Sequence, residues 1–137
     1  MDWMIACCGY DCGKCKAFKG NIKNDADRQW VCDMWRKYFG LRMKPEEIYC
    51  DGCQKPDSEN PKRISSACAI RCCVVKRKLE NCSRCREYPC LALEKHMSSV
   101  ENVDNKHRDH IPVDEYNDFI KPYLARKNLD EFRKRSG

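Results

Sequence analysis

The chain has 137 residues, among them 27 lysines and arginines, 21 aspartates and glutamates, and 13 cysteines. Without the cysteines, the apolar fraction falls from 42% to about 32%, which is thin for a self-sufficient hydrophobic core. This composition excludes an ordinary α/β enzyme domain, a collagen and a coiled coil, and no apolar run is long enough to span a membrane.

In the first half of the chain, hydrophobic periodicity predicts helices and no clear strand. Residues Asn24 to Phe39 are typical of an amphipathic helix that is capped by Asn24 or Asp25 and ends at Gly40. A short helical turn is expected over 45–48. Residues 54–63 contain two prolines, serine and asparagine and therefore predict a loop.

In the second half, we expect a helix that is capped by Ser65 or Ser66 and continues to Leu79. A short helix is predicted over 90–97. The last forty or so residues predict two helices, over 113–120 and 123–135, which Pro122 separates. The expected fold class is therefore small, metal-stabilised and mostly α, with irregular Cys-x-x-Cys knuckle loops and little or no β structure.

The cysteines divide the chain into two parts. All 13 lie within residues 1–95, which carry 19 basic and 13 acidic side chains, a net charge of +6. Residues 96–137 have no cysteine, hold all three histidines, and carry eight side chains of each sign. We predict a Cys-rich metal-binding module over 1–95 and a helical tail over 96–137. The tail is expected to pack on the module, or to form a dimer surface, through an apolar stripe of Val113, Phe119, Ile120, Leu124, Leu129 and Phe132.

Three cysteine pairs share the spacing Cys-x-x-Cys, at Cys12/Cys15, Cys50/Cys53 and Cys82/Cys85. Two intervening residues allow a tight turn to direct both sulfurs at one ion. Disulfides are the competing interpretation, but the number of cysteines is odd and no secretory signal is visible. We therefore expect thiolate metal sites in a cytoplasmic protein.

The grouping of the thiols is not fixed by their spacing. The arrangement that we favour pairs Cys50/Cys53 with Cys82/Cys85 around one ion. A second site would contain Cys8, Cys12 and Cys15, completed by a further cysteine, for which the candidates are Cys68, Cys73 and Cys90. Cys32 is expected to be a small core residue of its helix, and the role of Cys7 is open.

These motifs, in this order, resemble an uncharacterised Cys-rich microbial family known as domain of unknown function 3795. The likeness spans about residues 5–95 and implies a compact, mostly helical metal-knuckle module without an assigned reaction. The resemblance implies ten metal-ligating cysteines, namely Cys8, Cys12, Cys15, Cys50, Cys53, Cys68, Cys73, Cys82, Cys85 and Cys90. Cys7, Cys32 and Cys72 depart from the family pattern. Helix geometry would pair Cys68 with Cys72, whereas the family pattern selects Cys73; we follow the family and place Cys68 just before the helix or in another site.

The leading functional hypothesis is a zinc-binding protein with two structural zinc ions, acting as an interaction or adaptor module. The alternative is an iron–sulfur protein with a [4Fe-4S] cluster, serving electron transfer or redox sensing. A third hypothesis is nucleic-acid binding through Lys76-Arg77-Lys78 and Arg133-Lys134-Arg135, but solvated helix faces explain these charges better. The expected partner is a protein, with no membrane, and the chain is expected to be a monomer or homodimer.

Enzymatic activity is left open, because the sequence shows no catalytic constellation. A nucleophilic cysteine needs a nearby base. His96, His107 and His110 all lie in the tail, and no spacing ties any of them to a cysteine. We therefore assign no catalytic residue.

Overall fold

The computed structural model describes residues 5–52, 57–64 and 68–136. These residues are mostly helical, which confirms the expected α class. Within the described ranges, β structure is confined to two isolated bridges, Ile5 with Asp11 and Phe18 with Cys50. None of the described helices is both long enough and apolar enough to cross a bilayer.

The first helix, α1, spans Asp25–Phe39 and confirms the sequence prediction at both ends. The side chain of Asn24 accepts a hydrogen bond from the backbone N–H of Asp27 at 3.0 Å and so caps the helix. Gly40 ends it in the left-handed conformation. Cys32 is buried on this helix, as expected for a core residue. The predicted turn at 45–48 is a 3-10 turn over Pro45–Glu47.

The second helix, α2, spans Ala69–Lys76 and begins later than predicted. Its cap is Cys68, whose sulfur accepts a hydrogen bond from the backbone N–H of Arg71 at 3.5 Å. The expected cap by Ser65 or Ser66 is therefore wrong, although both serines lie outside the described residues. Cys68 lies just before the helix, which is one of the two placements that reconcile the family pattern with helix geometry.

The third helix, α3, spans Leu91–His107 and extends ten residues beyond Met97, where the predicted helix ends. The two residues after Met97 are Ser98 and Ser99, and serine is a weaker helix former than alanine or leucine. The buried side chains Met97, Val100 and Asp104 continue the helical spacing beyond them. Tertiary packing therefore extends the helix past the two serines.

The tail folds as a short helix α4 (Val113–Glu115), a π-helical turn (Tyr116–Ile120), a 3-10 turn (Lys121–Tyr123) and a helix α5 (Ala125–Ser136). Pro122 lies between the two helical segments, as predicted. Phe119, Ile120 and Leu129 of the expected apolar stripe are fully buried. Val113 is 73% exposed, so its assignment to the stripe is wrong; it is the first residue of α4 and points away from the core.

Two hydrophobic cores share α3. The first core contains the buried residues Ile5, Ala6, Cys7, Cys8, Ile70, Val74, Cys82, Leu93, Met97, Ala125 and Leu129. The second core contains Ala17, Val31, Cys32, Trp35, Ile48, Val100, Ile111, Phe119, Ile120 and Tyr123. Cys12, Cys68 and Cys90 also pack against the first core. Sulfur therefore supplies a large share of the first core.

Polar contacts join residues 96–137 to the rest of the chain. The amide of Asn128 donates to the carbonyl of Gly9 at 3.0 Å, and the backbone N–H of Asp11 donates to the carbonyl of Pro122 at 2.8 Å. Arg126 forms a two-pronged ion pair with Glu94 and a further one with Glu101. These bonds hold α5 against α3 and the N-terminal segment.

Replacing Gly9 with alanine tests how closely the N-terminal segment approaches α5, and Gly40 provides the matched control. Gly9 has φ +101°, and an added Cβ would lie 2.6 Å from Cγ of Leu129 and 2.9 Å from the carbonyl of Ala125. Gly40 also has positive φ, but nothing lies within 4 Å of its Cβ position. We expect Gly40→Ala to lower the free energy of unfolding by about 1–2 kcal/mol, and Gly9→Ala by about 2–4 kcal/mol because α5 must shift. Denaturant unfolding measures both; equal losses would contradict the close approach of Gly9 to α5.

Candidate metal centre

Four cysteines from three successive elements line one small cavity. Cys73 comes from α2, Cys82 and Cys85 from the turn that follows it, and Cys90 from the start of α3. The remaining walls are mainly apolar and are formed by Ala69, Ile70, Val74, Leu79, Tyr88, Ala92 and Leu93, with Glu87. The cavity therefore combines four thiols with few competing polar groups.

A buried asparagine holds the turn that carries Cys82 and Cys85. The turn is 3-10 over Cys82–Arg84, and Cys85 N–H donates to the carbonyl of Cys82 at 3.1 Å. Oδ1 of Asn81 accepts from the backbone N–H of Ser83 at 2.9 Å and from its hydroxyl. Asn81 and Ser83 are almost fully buried. The Cys-x-x-Cys turn is thus fixed from inside the protein.

The N-terminal segment contacts the same turn. The backbone N–H of Cys82 donates to the carbonyl of Cys7 at 2.9 Å. Burial, reinforced by the neighbouring thiols of Cys90, Cys7, Cys73 and Cys85, raises the pKa of Cys82 to about 12. Cys7 therefore lies close to the four-cysteine cavity, a neighbour that sequence spacing does not indicate.

Cys72 and Cys73 are both exposed on α2, but only Cys73 lines the cavity. The side chain of Cys73 also lies near enough to Cys82 and Arg77 to interact electrostatically with both. The family resemblance implies Cys73 rather than Cys72 as a metal ligand, and this choice stays a prediction.

Arg77 contacts one of the four thiols directly. Nη1 of Arg77 donates to Sγ of Cys85 at 3.3 Å, and Nη2 forms an ion pair with Glu87 at 3.0 Å. Glu87 first, and then the sulfurs of Cys73 and Cys85, raise the pKa of Arg77. The guanidinium of Arg77 would compensate thiolate charge here.

Cys15 and Cys50 lie together in a different region. Sγ of Cys15 is 3.1 Å from the hydroxyl of Tyr123, and burial raises the pKa of the Cys15 thiol, with a smaller contribution from the nearby Cys50. Cys15 packs against the second core. Burial also raises the pKa of Tyr123. The tail thus supplies a hydroxyl to a cysteine of the Cys12/Cys15 pair.

The cysteines that lie near Cys82 and near Cys15 are not the ones expected from the sequence. Cys82 and Cys85 share a cavity with Cys73 and Cys90, whereas Cys50, which was expected beside them, lies near Cys15. Cys8, Cys12 and Cys68 belong to or pack against the first core. Cys53 lies outside the described residues. Spacing along the chain defines pairs, but only the path of the intervening helices decides which pairs meet.

None of the twelve cysteines that the structure describes forms a disulfide. In the described ranges, no group of three or more His, Cys, Asp or Glu side chains is close enough to hold a metal ion without rearrangement. The four thiols line one cavity, and a metal ion bound there would require the sulfurs to move closer together.

The family described as "Protein of unknown function (DUF3795)" matches residues 4–95, about two thirds of the chain. The chain therefore belongs to this family. No curated protein and no solved structure matches it significantly. Membership of this family therefore indicates neither a reaction nor a ligand for the chain.

Asn81→Ala tests whether the buried asparagine holds the turn. The substitution removes the acceptor for Ser83 N–H and its hydroxyl, and leaves two buried donors unpaired. We expect a loss of about 1–3 kcal/mol in the free energy of unfolding. Asn117→Ala at an exposed position is the control, with a change within about 0.5 kcal/mol. A similar small effect for both variants, measured by chemical denaturation, would show that Asn81 does not support the turn.

Proposed function

We propose that this chain is a zinc-binding module in which Cys73, Cys82, Cys85 and Cys90 hold a structural zinc ion. The observation that supports it is the convergence of these four thiols on one cavity. Four thiolates complete the tetrahedral shell that zinc prefers in structural sites and leave no position for a substrate. The apolar walls likewise favour a structural role over catalysis.

The donor set suits a soft ion, and the surroundings suit negative charge. Four thiolates with one zinc ion would carry a net charge of about −2. Arg77 donates to Cys85, and the positive N-terminal end of the 17-residue helix α3 lies at Cys90. Both features place positive charge beside the sulfurs, and this charge would offset the negative charge of a metal–thiolate centre.

The proposed ion would join α2, the 82–85 turn and α3 at one point. The free energy of zinc binding, on the order of 10 kcal/mol, would add to the stability of a core that contains few large apolar residues. The exposed apolar side chains Val75 and Leu91 lie on the two helices that carry Cys73 and Cys90. We propose that this metal-stabilised surface binds a protein partner, as an adaptor module would.

A pair of serine substitutions tests the site. Cys85→Ser removes one proposed ligand with little change in size, and we expect it to lower the zinc content by about one ion per chain. Cys72→Ser, on the same helix as Cys73 but outside the cavity, is the control and should retain the wild-type content. Elemental analysis together with native mass spectrometry measures the stoichiometry. Equal zinc content in both variants would contradict the proposal, and a brown protein that contains iron would favour the [4Fe-4S] alternative.

Alkylation of two adjacent thiols provides a second test. Cys72 and Cys73 are both exposed on α2. When zinc is bound, Cys73 should react with iodoacetamide far more slowly than Cys72, because a metal-bound thiolate is shielded. After treatment with a strong chelator, the two rates should become similar. Fragmentation of the labelled peptide in a mass spectrometer shows which of the two cysteines has reacted. Equal alkylation rates at Cys72 and Cys73 before chelation would contradict ligation by Cys73.

A further inference from the structure

Two large apolar side chains remain exposed on the helices that line the four-cysteine cavity. Val75 on α2 is 58% exposed, and Leu91, the first residue of α3, is 86% exposed. Both are chain neighbours of residues that form the cavity wall: Val75 follows Val74, and Leu91 lies between Cys90 and Ala92. Exposed apolar side chains that are bordered by polar ones are typical of an interaction site.

Basic side chains border this apolar pair. Lys76 lies one helical turn from Cys73, and Arg86 lies between Cys85 and Glu87, which both line the cavity. Lys76 and Arg86 are exposed, and within the described ranges neither of them forms an ion pair. Their charges are therefore available to a binding partner.

The acidic side chains of the same region are already paired. Glu87 forms an ion pair with Arg77 at 3.0 Å, and Glu80 forms one with Arg84 at 3.5 Å. Residues 74–90 contain five basic and two acidic side chains, so the region remains positive even beside a zinc–thiolate centre with a charge of about −2. The surface therefore combines exposed apolar side chains with positive charge that its own acidic residues do not neutralise.

An acidic segment of a protein suits this surface better than a nucleic acid does. Val75 and Leu91 gain from burial against apolar side chains of a peptide, whereas phosphate groups are bound by polar side chains. A single-stranded nucleic acid would need an aromatic ring on which to stack its bases. Tyr88, the aromatic residue of the cavity wall, is already engaged, because its hydroxyl donates to Asp130 at 2.6 Å and Arg133 lies over its ring.

We infer that the surface formed by Val75, Lys76, Arg86 and Leu91 binds a short acidic segment of a partner protein. Apolar side chains of the segment contact Val75 and Leu91, and its carboxylates lie at Lys76 and Arg86. Complementary charge orients such a segment and speeds its association, while the apolar contacts contribute affinity. The inference names the partner of the adaptor role proposed above and rests on that role. It does not depend on the identity of the metal, because none of the four residues is a proposed ligand.

Selection from a library of random peptides tests the chemistry of the partner. Phage that display the peptides are selected on the full chain, purified in a buffer that contains zinc. The selected sequences should be enriched in aspartate and glutamate together with leucine, isoleucine, valine and phenylalanine. Selection of basic peptides, or of none above the blank support, would overturn the inference. Binding of a short duplex DNA with no acidic peptide selected would also overturn it, in favour of a nucleic acid.

Replacing an exposed apolar residue locates the bound peptide. Leu91→Ser should weaken the binding of the best selected peptide about tenfold or more, because an apolar contact is lost. Val113 is 73% exposed and is also the first residue of a helix, so Val113→Ser is the matched control and should leave the affinity unchanged. Fluorescence anisotropy of the labelled peptide measures both affinities. Equal affinities in the two variants would overturn the assignment of this surface.

Removing two charges tests the basic border separately. Lys76→Gln/Arg86→Gln should weaken the same peptide about fivefold and reduce the loss of affinity between about 50 and 200 mM salt. Lys106→Gln/Lys121→Gln removes the same charge near the other end of α3 and in the tail, and should bind as the wild type does. Equal weakening in both double variants would show that only the net charge matters and would contradict binding at this surface.

Zinc content, measured on the same proteins, separates this inference from the proposed metal site. If Cys85→Ser loses zinc but Leu91→Ser binds the peptide as Val113→Ser does, the inference is overturned and the zinc site stands. If Cys85→Ser keeps its full zinc content while peptide binding depends on Leu91, the zinc site is overturned and the peptide surface stands.

Discussion

The convergence of thiols on Cys82 is the constraint on which the first core depends. The backbone of Cys82 is hydrogen-bonded to Cys7, and its side chain lies among the thiols of Cys7, Cys73, Cys85 and Cys90. Four segments of the chain therefore meet at one residue: the N-terminal segment, α2, the turn and the start of α3. In a protein with larger apolar side chains, packing alone would hold such a junction. Here sulfur occupies the position, and the zinc ion that we propose would bind the segments together.

The third helix, α3, couples this junction to the rest of the protein. Leu93 and Met97 contribute to the first core and Val100 to the second. The tail then returns along both cores, with Tyr123 in the second and Leu129 in the first. One helix and one tail therefore contribute side chains to both cores. This arrangement explains how a chain with so few large apolar side chains still buries several of them fully.

The sequence predicted local structure well wherever a side chain acts on its own neighbours. The cap at Asn24, the end of α1 at Gly40 and the burial of Cys32 follow from local rules and are confirmed. The prediction failed where tertiary contacts decide. The cap of α2 is a cysteine, which no standard preference includes, and α3 continues past two serines because the residues beyond them are buried.

The composition of the candidate site was predictable only in part. The family pattern indicated Cys73 rather than Cys72, and the cavity contains Cys73. Which knuckles meet was not predictable, because it depends on how α2 and α3 direct the chain between them. The proximity of Cys7 to Cys82 and of Tyr123 to Cys15 joins residues that are 75 and 108 positions apart, and no local pattern encodes such contacts.

We propose that bonds between sulfur and a metal ion stabilise the folded chain. Thermal unfolding can be followed by circular dichroism under reducing conditions, before and after a strong chelator removes the metal. The melting temperature should fall substantially after chelation and recover when zinc is added back. A melting curve that does not change on chelation would show that such bonds do not hold the fold together.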